Sequence, residues 1–484
     1  LKLGMHICDG FALAGGPWIT PEKSMQKVVW SDSVISGGEI KHLRLPRPKT
    51  FENFYCEIAL YALPVADFFT TDRFIPHVTS STEDRSPAYL VDRSASGTFR
   101  SSSPCWIQYT FEEPFTCRSI KIVPAGNNYQ AQRLCVYASD NGVDFKKIKQ
   151  LVSPRHGWQN TDENFTYSIP ATTARCFRFY WDPAGSEPGA EDLDAAKWKP
   201  ILKINKIFLS SEVLIDQLEG KNGSVWRVSK RTPVEELSDE DCVKLSQIIR
   251  LDPSSLSGDE LNTVLPSGRW RIVRMGHTST GHRNETGGAG KGLECDKFSK
   301  EAVQLQFENW FGAAFRKTDP VLSRRVLKFL HVDSWECGSQ NWSDNFLEEF
   351  KKRRGYDLSP YLLVYAGIPI ESVEQTESIL HDIRQTIAEL VVDVFYQTLA
   401  EFSGTYGCKF SAECVAPTMV SDGMLHYRMV DRPMGEFWLQ SPTHDKFNDM
   451  LDAISGAHVY GKNIVQAEGF TQLRIMWNEN PRMM

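Results

Sequence analysis

VLKFLHVDSWECGSQNW, residues 326–342, opens as a short apolar run and ends in a polar loop. An apolar run that stops on Asp333, Ser334, Trp335 and Glu336 has the form of a buried parallel strand with chemistry at its carboxyl end. The next stretch, DNFLEEFKKRRGYDL, reads as a helix. Asn345 with Glu348 marks its start, Phe346, Leu347 and Phe350 share one face, and Gly355 sits where it stops. Strand, loop and helix in this order are the unit of a parallel α/β barrel, whose catalytic residues collect on such loops. Taken alone, Glu336 is equally well explained as a helix cap or an ion-pair partner.

Its neighbours in sequence weigh against that plain reading. After a long amphipathic helix, SILHDIRQTIAELVVDVFYQTLAEFSGTYG, three further units follow: CKFSAECVAP closes on Glu413, YRMVDRPMGEFWL on Glu436 and Trp438, and GKNIVQAEGF on Glu468. Acids at the ends of successive strands suit a glycosidase barrel, which needs carboxylates converging on one pocket. Toward the amino terminus, LKLGMHICDGFALAGGPWITPEKSMQKVVW repeats the grammar: a strand to Cys8, a turn at Asp9 and Gly10, a loop at Gly15-Gly16-Pro17-Trp18, and a helix starting at Thr20-Pro21-Glu22. The Gly-Gly pair lacks both phosphate-loop motifs and reads as a tight turn.

From about residue 40 to 275 the pattern changes. WIQYTFEEPF, RSIKIVP, RLCVYASDNGVDFKKI, NFTYSIP, RCFRFYW and KINKIFL alternate apolar and polar residues between Pro, Gly and Asn turns, with Asp140-Asn141-Gly142 as a hairpin signal. These predict antiparallel strands of a β-sandwich. Residues 101–211 resemble the galactose-binding-like (discoidin, F5/8 type C) sandwich, whose members bind sugars or serve as spacers. EELSDEDCVKLSQII reads as a short helix, and GRWRIVRMGHTSTG as a returning strand. The Gly-rich segment that follows holds His282, Arg283, Glu294 and Asp296 close after His277, a density of functional side chains that suits an active-site loop better than a linker.

With 484 residues, the chain is long enough for two or three domains. A net charge of −7 gives no general basic field, which argues against non-specific nucleic-acid binding. The sequence holds no apolar run of about 18 residues that would span a bilayer, and no basic-then-apolar leader. It begins at Leu1 within strand-like sequence, which suggests a piece of a longer protein. The eleven cysteines are scattered singly, without CxxC or Cys/His ligand spacing, and read as buried thiols rather than a disulfide framework or zinc site.

Together, HICDGFALAGGPWITPEKSMQKVVWS, GRWRIVRMGHTSTG, HVDSWECGSQNW, GEFW and QAEGFT resemble the bacterial α-L-rhamnosidases of glycoside hydrolase family 106. The resemblance implies an α/β plus all-β protein: a (β/α)8 TIM-type catalytic barrel, incomplete in this chain, interrupted by an inserted antiparallel β-sandwich. Residues 1–38 would be a barrel segment of strand, loop and helix, 39–275 the insertion, and 276–484 the remainder of the barrel. It implies cleavage of α-L-rhamnosides in oligo- or polysaccharides with inversion, a calcium ion near the sugar, and a periplasmic or extracellular location. On that pattern Glu336 is the general acid and Glu468 the general base, with Glu436 positioning water or sugar and standing as the alternative base. Glu413 does either, or holds calcium with Asp333, since hard oxygen ligands suit that ion; the full ligand set is not assigned. Asp9, His277 and His282 are candidate sugar contacts. Trp18, Trp335 and Trp438 are candidate sugar platforms, each equally suited to a core position. A retaining glycosidase and a non-catalytic carbohydrate-binding protein are the rival readings.

Overall fold

The computed structural model describes residues 3–6, 14–82, 86–125, 133–152, 163–185, 201–225, 230–284, 288–333, 335, 337–413, 423–438 and 447–471. Its parallel-sheet half is built on five strands in the order Leu3–His6, Leu327–Val332, Lys409–Glu413, Arg432–Trp438, Gln466–Thr471. Side chains alternate across such a sheet. Leu330, Val332, Phe410 and Ala412 point to one side, where they are buried in the largest apolar core. That core is closed by helices, among them Phe346–Arg354, which buries Phe346 and Phe350 and ends on left-handed Gly355. The long helix Val373–Leu390 starts on a Ser372 cap, passes through a π-helical stretch, Val391–Tyr396, and continues as Gln397–Thr405. The sheet is a half-barrel among the described residues; a closed eight-stranded barrel is not what these strands form.

The antiparallel part begins earlier than the pattern at residue 39 suggested. No helix follows Thr20; Pro21–Lys23 is a single 3-10 turn, and Gln26–Arg44 is one long strand. The reason is visible in VVWSDSVIS, which is rich in β-branched and aromatic residues and poor in strong helix formers, and Val28, Trp30 and Asp32 line up against His277, Met275 and Val273 of the strand Glu260–Ser279. With Cys56–Pro64 and Ile249–Leu251 these strands form a sheet of their own. The stretch around residue 240, read as a helix, instead makes two short 3-10 turns, Asp239–Asp241 and Leu245–Gln247, each too brief to propagate.

A separate antiparallel sheet occupies residues 77–210, with seven strands. Its long strands Cys105–Pro124 and Phe165–Trp181 break register near their middles, so both halves bury side chains in one core. Tyr109 in the first half donates its hydroxyl to the Ile207 carbonyl, 2.8 Å away, on a strand paired with the second half. This is sandwich-like packing with alternate residues inward.

The segment after the sandwich ties it to the parallel-sheet half through polar contacts. Glu219 accepts from the backbone N–H (2.9 Å) and hydroxyl (2.7 Å) of Thr166, while Lys149 bridges Asp216 and Glu236 at 3.1 and 2.7 Å. On its other side Lys221 pairs with Glu377 of the long helix at 2.6 Å. Burial pushes the Glu219 carboxyl up to about 7, against the Thr166 bonds that favour the anion. In the unfolded chain the group ionises near 4.5, so the folded state holds its proton longer; this contribution to stability is complete below about 4.5 and is lost as pH rises through about 7. Its span is at most about 3 kcal/mol. Glu219→Gln should therefore flatten the fall in stability between those pH values. Urea unfolding at pH 4.5 and pH 8 checks this: the variant should gain relative to the parent at the higher pH.

Candidate active site

Parallel register decides which acids meet. His331 pairs with Ser411, and continuing one step past Val332 and Ala412 sets Asp333 beside Glu413. Glu413 pairs with Met434, two residues before Glu436, which itself pairs with Glu468. All four acids therefore project from the face opposite the apolar core. One layer below, Ser411 joins His331 (3.0 Å) and Gln466, giving the acids a polar floor.

Asp333, Glu413 and Glu468 bring carboxylate oxygens within 4.8 Å of one another. Glu413 is fully buried and, among the described residues, both its oxygens lack a hydrogen-bond donor, although Asp333 lies in contact. Two carboxylates are both acceptors, so the contact needs a shared proton or a cation between them. Burial first, then Asp333, Glu436 and Glu468, hold the Glu413 carboxyl well above the usual carboxylate range. Its backbone carbonyl is fixed from below by Nε2 of His426, at 3.0 Å, a buried ring stacked on Tyr396.

The loop after Val332 is braced from residues 294–298. Asp296 accepts from Gln340, from the Ser343 hydroxyl (2.5 Å) and from the Phe298 N–H (2.8 Å), while Gln340 accepts from the Lys297 N–H at 3.0 Å. Lys297 is completely buried, pairs with equally buried Glu294 at 2.8 Å, and lies 5.7 Å from the Trp335 ring centre. Glu294 also accepts from the Ala14 N–H at 2.9 Å. The Gly-rich segment is thus part of the site's scaffold. Gly292 has a positional reason: a Cβ there would lie 2.0 Å from the Gly16 backbone.

The remaining sequence candidates fall elsewhere. Trp335 is fully buried against Phe395, with its Nε1–H donated to the Gly338 carbonyl at 2.9 Å, so it is core and not a sugar platform. Trp18 folds back over Gly16 and donates to Gln306 at 2.7 Å. His277 is buried between Gln26 (3.3 Å) and Asp344 (3.4 Å), and burial keeps its ring below the usual histidine pKa. His282 is half-buried, and its carbonyl accepts from the Glu294 N–H. Glu336 and Asp9 lie outside the described residues, as does the side chain of Trp438. Lys297 and His426 were not singled out from sequence. A lysine next to two acids and a cysteine in a Gly-rich run was the only available hint for the first, and His426 carried none.

The profile of the α-L-rhamnosidases, glycoside hydrolase family 106, matches residues 1–484. The chain belongs to this family. A rhamnosidase from Novosphingobium sp. PP1Y is similar in structure, with a TM-score of 0.81 and 26% identity over 99% of this chain and 46% of that one. A protein of Formosa agariphila provisionally named beta-glucuronidase is 26% identical over 482 residues, which are 99% of this chain and 29% of that protein. The family member described here thus spans less than half the length of either relative. No described helix is long and apolar enough to cross a membrane.

The brace generates a stability prediction. Lys297→Met leaves Glu294 buried without its cation and should cost about 3–5 kcal/mol. The double variant with Glu294→Gln, which keeps an acceptor for the Ala14 N–H, should lose clearly less than the sum of the single losses. A double-mutant cycle by urea unfolding measures the difference.

Proposed function

We propose that this chain is the catalytic part of an inverting α-L-rhamnosidase that removes terminal rhamnosyl residues from plant or bacterial polysaccharides, outside the cytoplasm. The observation that carries the reading is the set of acids on one face of consecutive parallel strands, in a chain of this family. Glu336, in the sequence loop that follows Val332, protonates the leaving glycosidic oxygen. Glu468, three strands along the sheet from that loop's own strand, takes a proton from the water that attacks the opposite face of the sugar. Inversion requires the two carboxyls to stand about 6.5–9.5 Å apart, leaving room for that water. Glu436 is the alternative base, being paired in register with Glu468.

The residues present fit a calcium ion. The donors are hard carboxylate oxygens, and those of Glu413 are buried without a donor of their own. Asp333 and Glu413 would hold the ion, with Glu468 in reach; where Glu468 is drawn into that role, Glu436 becomes the base. When bound, the ion supplies positive charge that keeps these carboxyls ionised and orients sugar hydroxyls. The Formosa relative's name makes a β-glucuronide the second substrate to assay.

Two outcomes are expected. Glu336→Gln should lose about 10²–10⁴-fold in rate on poor leaving groups and much less on activated aryl rhamnosides. Glu468→Gln should slow both alike. NMR of the first-formed anomer should show inverted configuration, and retention would overturn both roles. Separately, calcium at about 100 times its Kd should stabilise the fold by about 2.7 kcal/mol. Glu413→Gln should abolish that gain while melting higher than the parent in chelator, because it removes one of the crowded acids.

A further inference from the structure

A cavity of about 460 Å³ lies where the sandwich, the Gln26–Arg44 sheet and the parallel-sheet half meet, away from the strand-end acids. Its sandwich wall is a row across three strands: Lys121 pairs with Thr166 on one side and Phe208 on the other, placing the three on the sheet's outer face. The adjoining row is Ser168, Ser119 and Ser210. A sheet face covered by another unit ordinarily turns apolar, yet this one keeps hydroxyls and a lysine. Trp30 and Arg271 line the opposite wall.

Five basic and five acidic side chains line the cavity, but the acids are committed to particular partners. Arg93 pairs with Asp72 at 2.6 Å, Lys27 with Glu163 at 3.3 Å, and Arg271 with both Glu212 and Asp32. The oxygens of Glu219 are engaged by Thr166. Lys121 and Lys49, which also line the space, make no ion pair among the described residues; Lys121 acts on Glu219 only at longer range. Aromatic surface, hydroxyls and two lysines outside any ion pair among the described residues, in a space of this size, match an anionic sugar: the ring's C–H face packs on the aromatics and its acid group meets ammonium.

We propose that this cavity is a second carbohydrate site, which takes a short saccharide carrying a carboxylate or sulfate on Lys121, with Trp30 and Phe208 as its apolar surfaces and Lys49 at its mouth. The proposal stands independently of the catalytic reading.

Isothermal titration of the chain with digalacturonate and with galactose 6-sulfate tests it and distinguishes the two acid groups. At least one should bind saturably, and its neutral counterpart, the methyl ester or galactose, at least tenfold more weakly. Lys121→Gln should weaken the anion at least tenfold and Lys121→Arg should retain it, while Glu468→Gln leaves binding unchanged. Should Lys121→Gln melt early, Lys49→Glu, at an exposed position, must weaken the anion at least threefold. No saturable binding of either anion, or binding that survives Lys121→Gln in a protein of unaltered melting temperature, overturns the proposal.

Discussion

Two carboxylates cannot share a dry contact as two anions, and the parallel-sheet half is arranged around that constraint. Asp333 and Glu413 touch, Glu413 has no donor among the described residues, and Glu436 and Glu468 stand on the same face. The geometry is imposed by the parallel ladder, in which neighbours in register share a face and every second residue returns to it. Relaxing the crowding would require slipping a strand by one residue, and that would turn Phe410 and Ala412 out of the core. The apolar side of the sheet thus enforces the strain on its polar side, and a proton or a cation must settle the charge.

Much of this was legible in sequence because parallel strands end abruptly. Glu413, Glu436 and Glu468 each follow a short apolar run, and the structure places all three on one sheet face. The helix after Asn345 was equally plain, since Phe346 and Phe350 repeat at helical spacing and Gly355 supplies the left-handed stop. Gln26–Arg44 was harder. Thr20-Pro21-Glu22 just before it is a helix start in isolation, and the pairing with a strand more than two hundred residues away makes the following chain extended. Tertiary pairing overrode a local signal.

The tryptophans show a different limit. An aromatic ring beside strand-end acids has the same sequence signature whether it meets a sugar or a core, and Trp335 meets Phe395 and Lys297. What separates the two uses is the brace from residues 294–298, a set of contacts made across a gap of about forty residues that no local pattern reveals. The Gly-rich segment that carries the brace looked like a loop reaching for substrate. It is instead the frame that holds one.

The sandwich is fastened by directional bonds to the segment that follows it, whose Ile215 and Leu218 are sunk in the apolar core of the parallel-sheet half. Thr166 to Glu219, Ser168 to Asp216 and Glu236, and Arg118 to Asp241 each require donor and acceptor at a particular angle. An apolar contact tolerates sliding, whereas a rotation of the sandwich by a single strand spacing would break every one of these at once. The sandwich is therefore mounted at a set bearing, like a bracket, so whatever it grips is held at one distance and one angle from the acids.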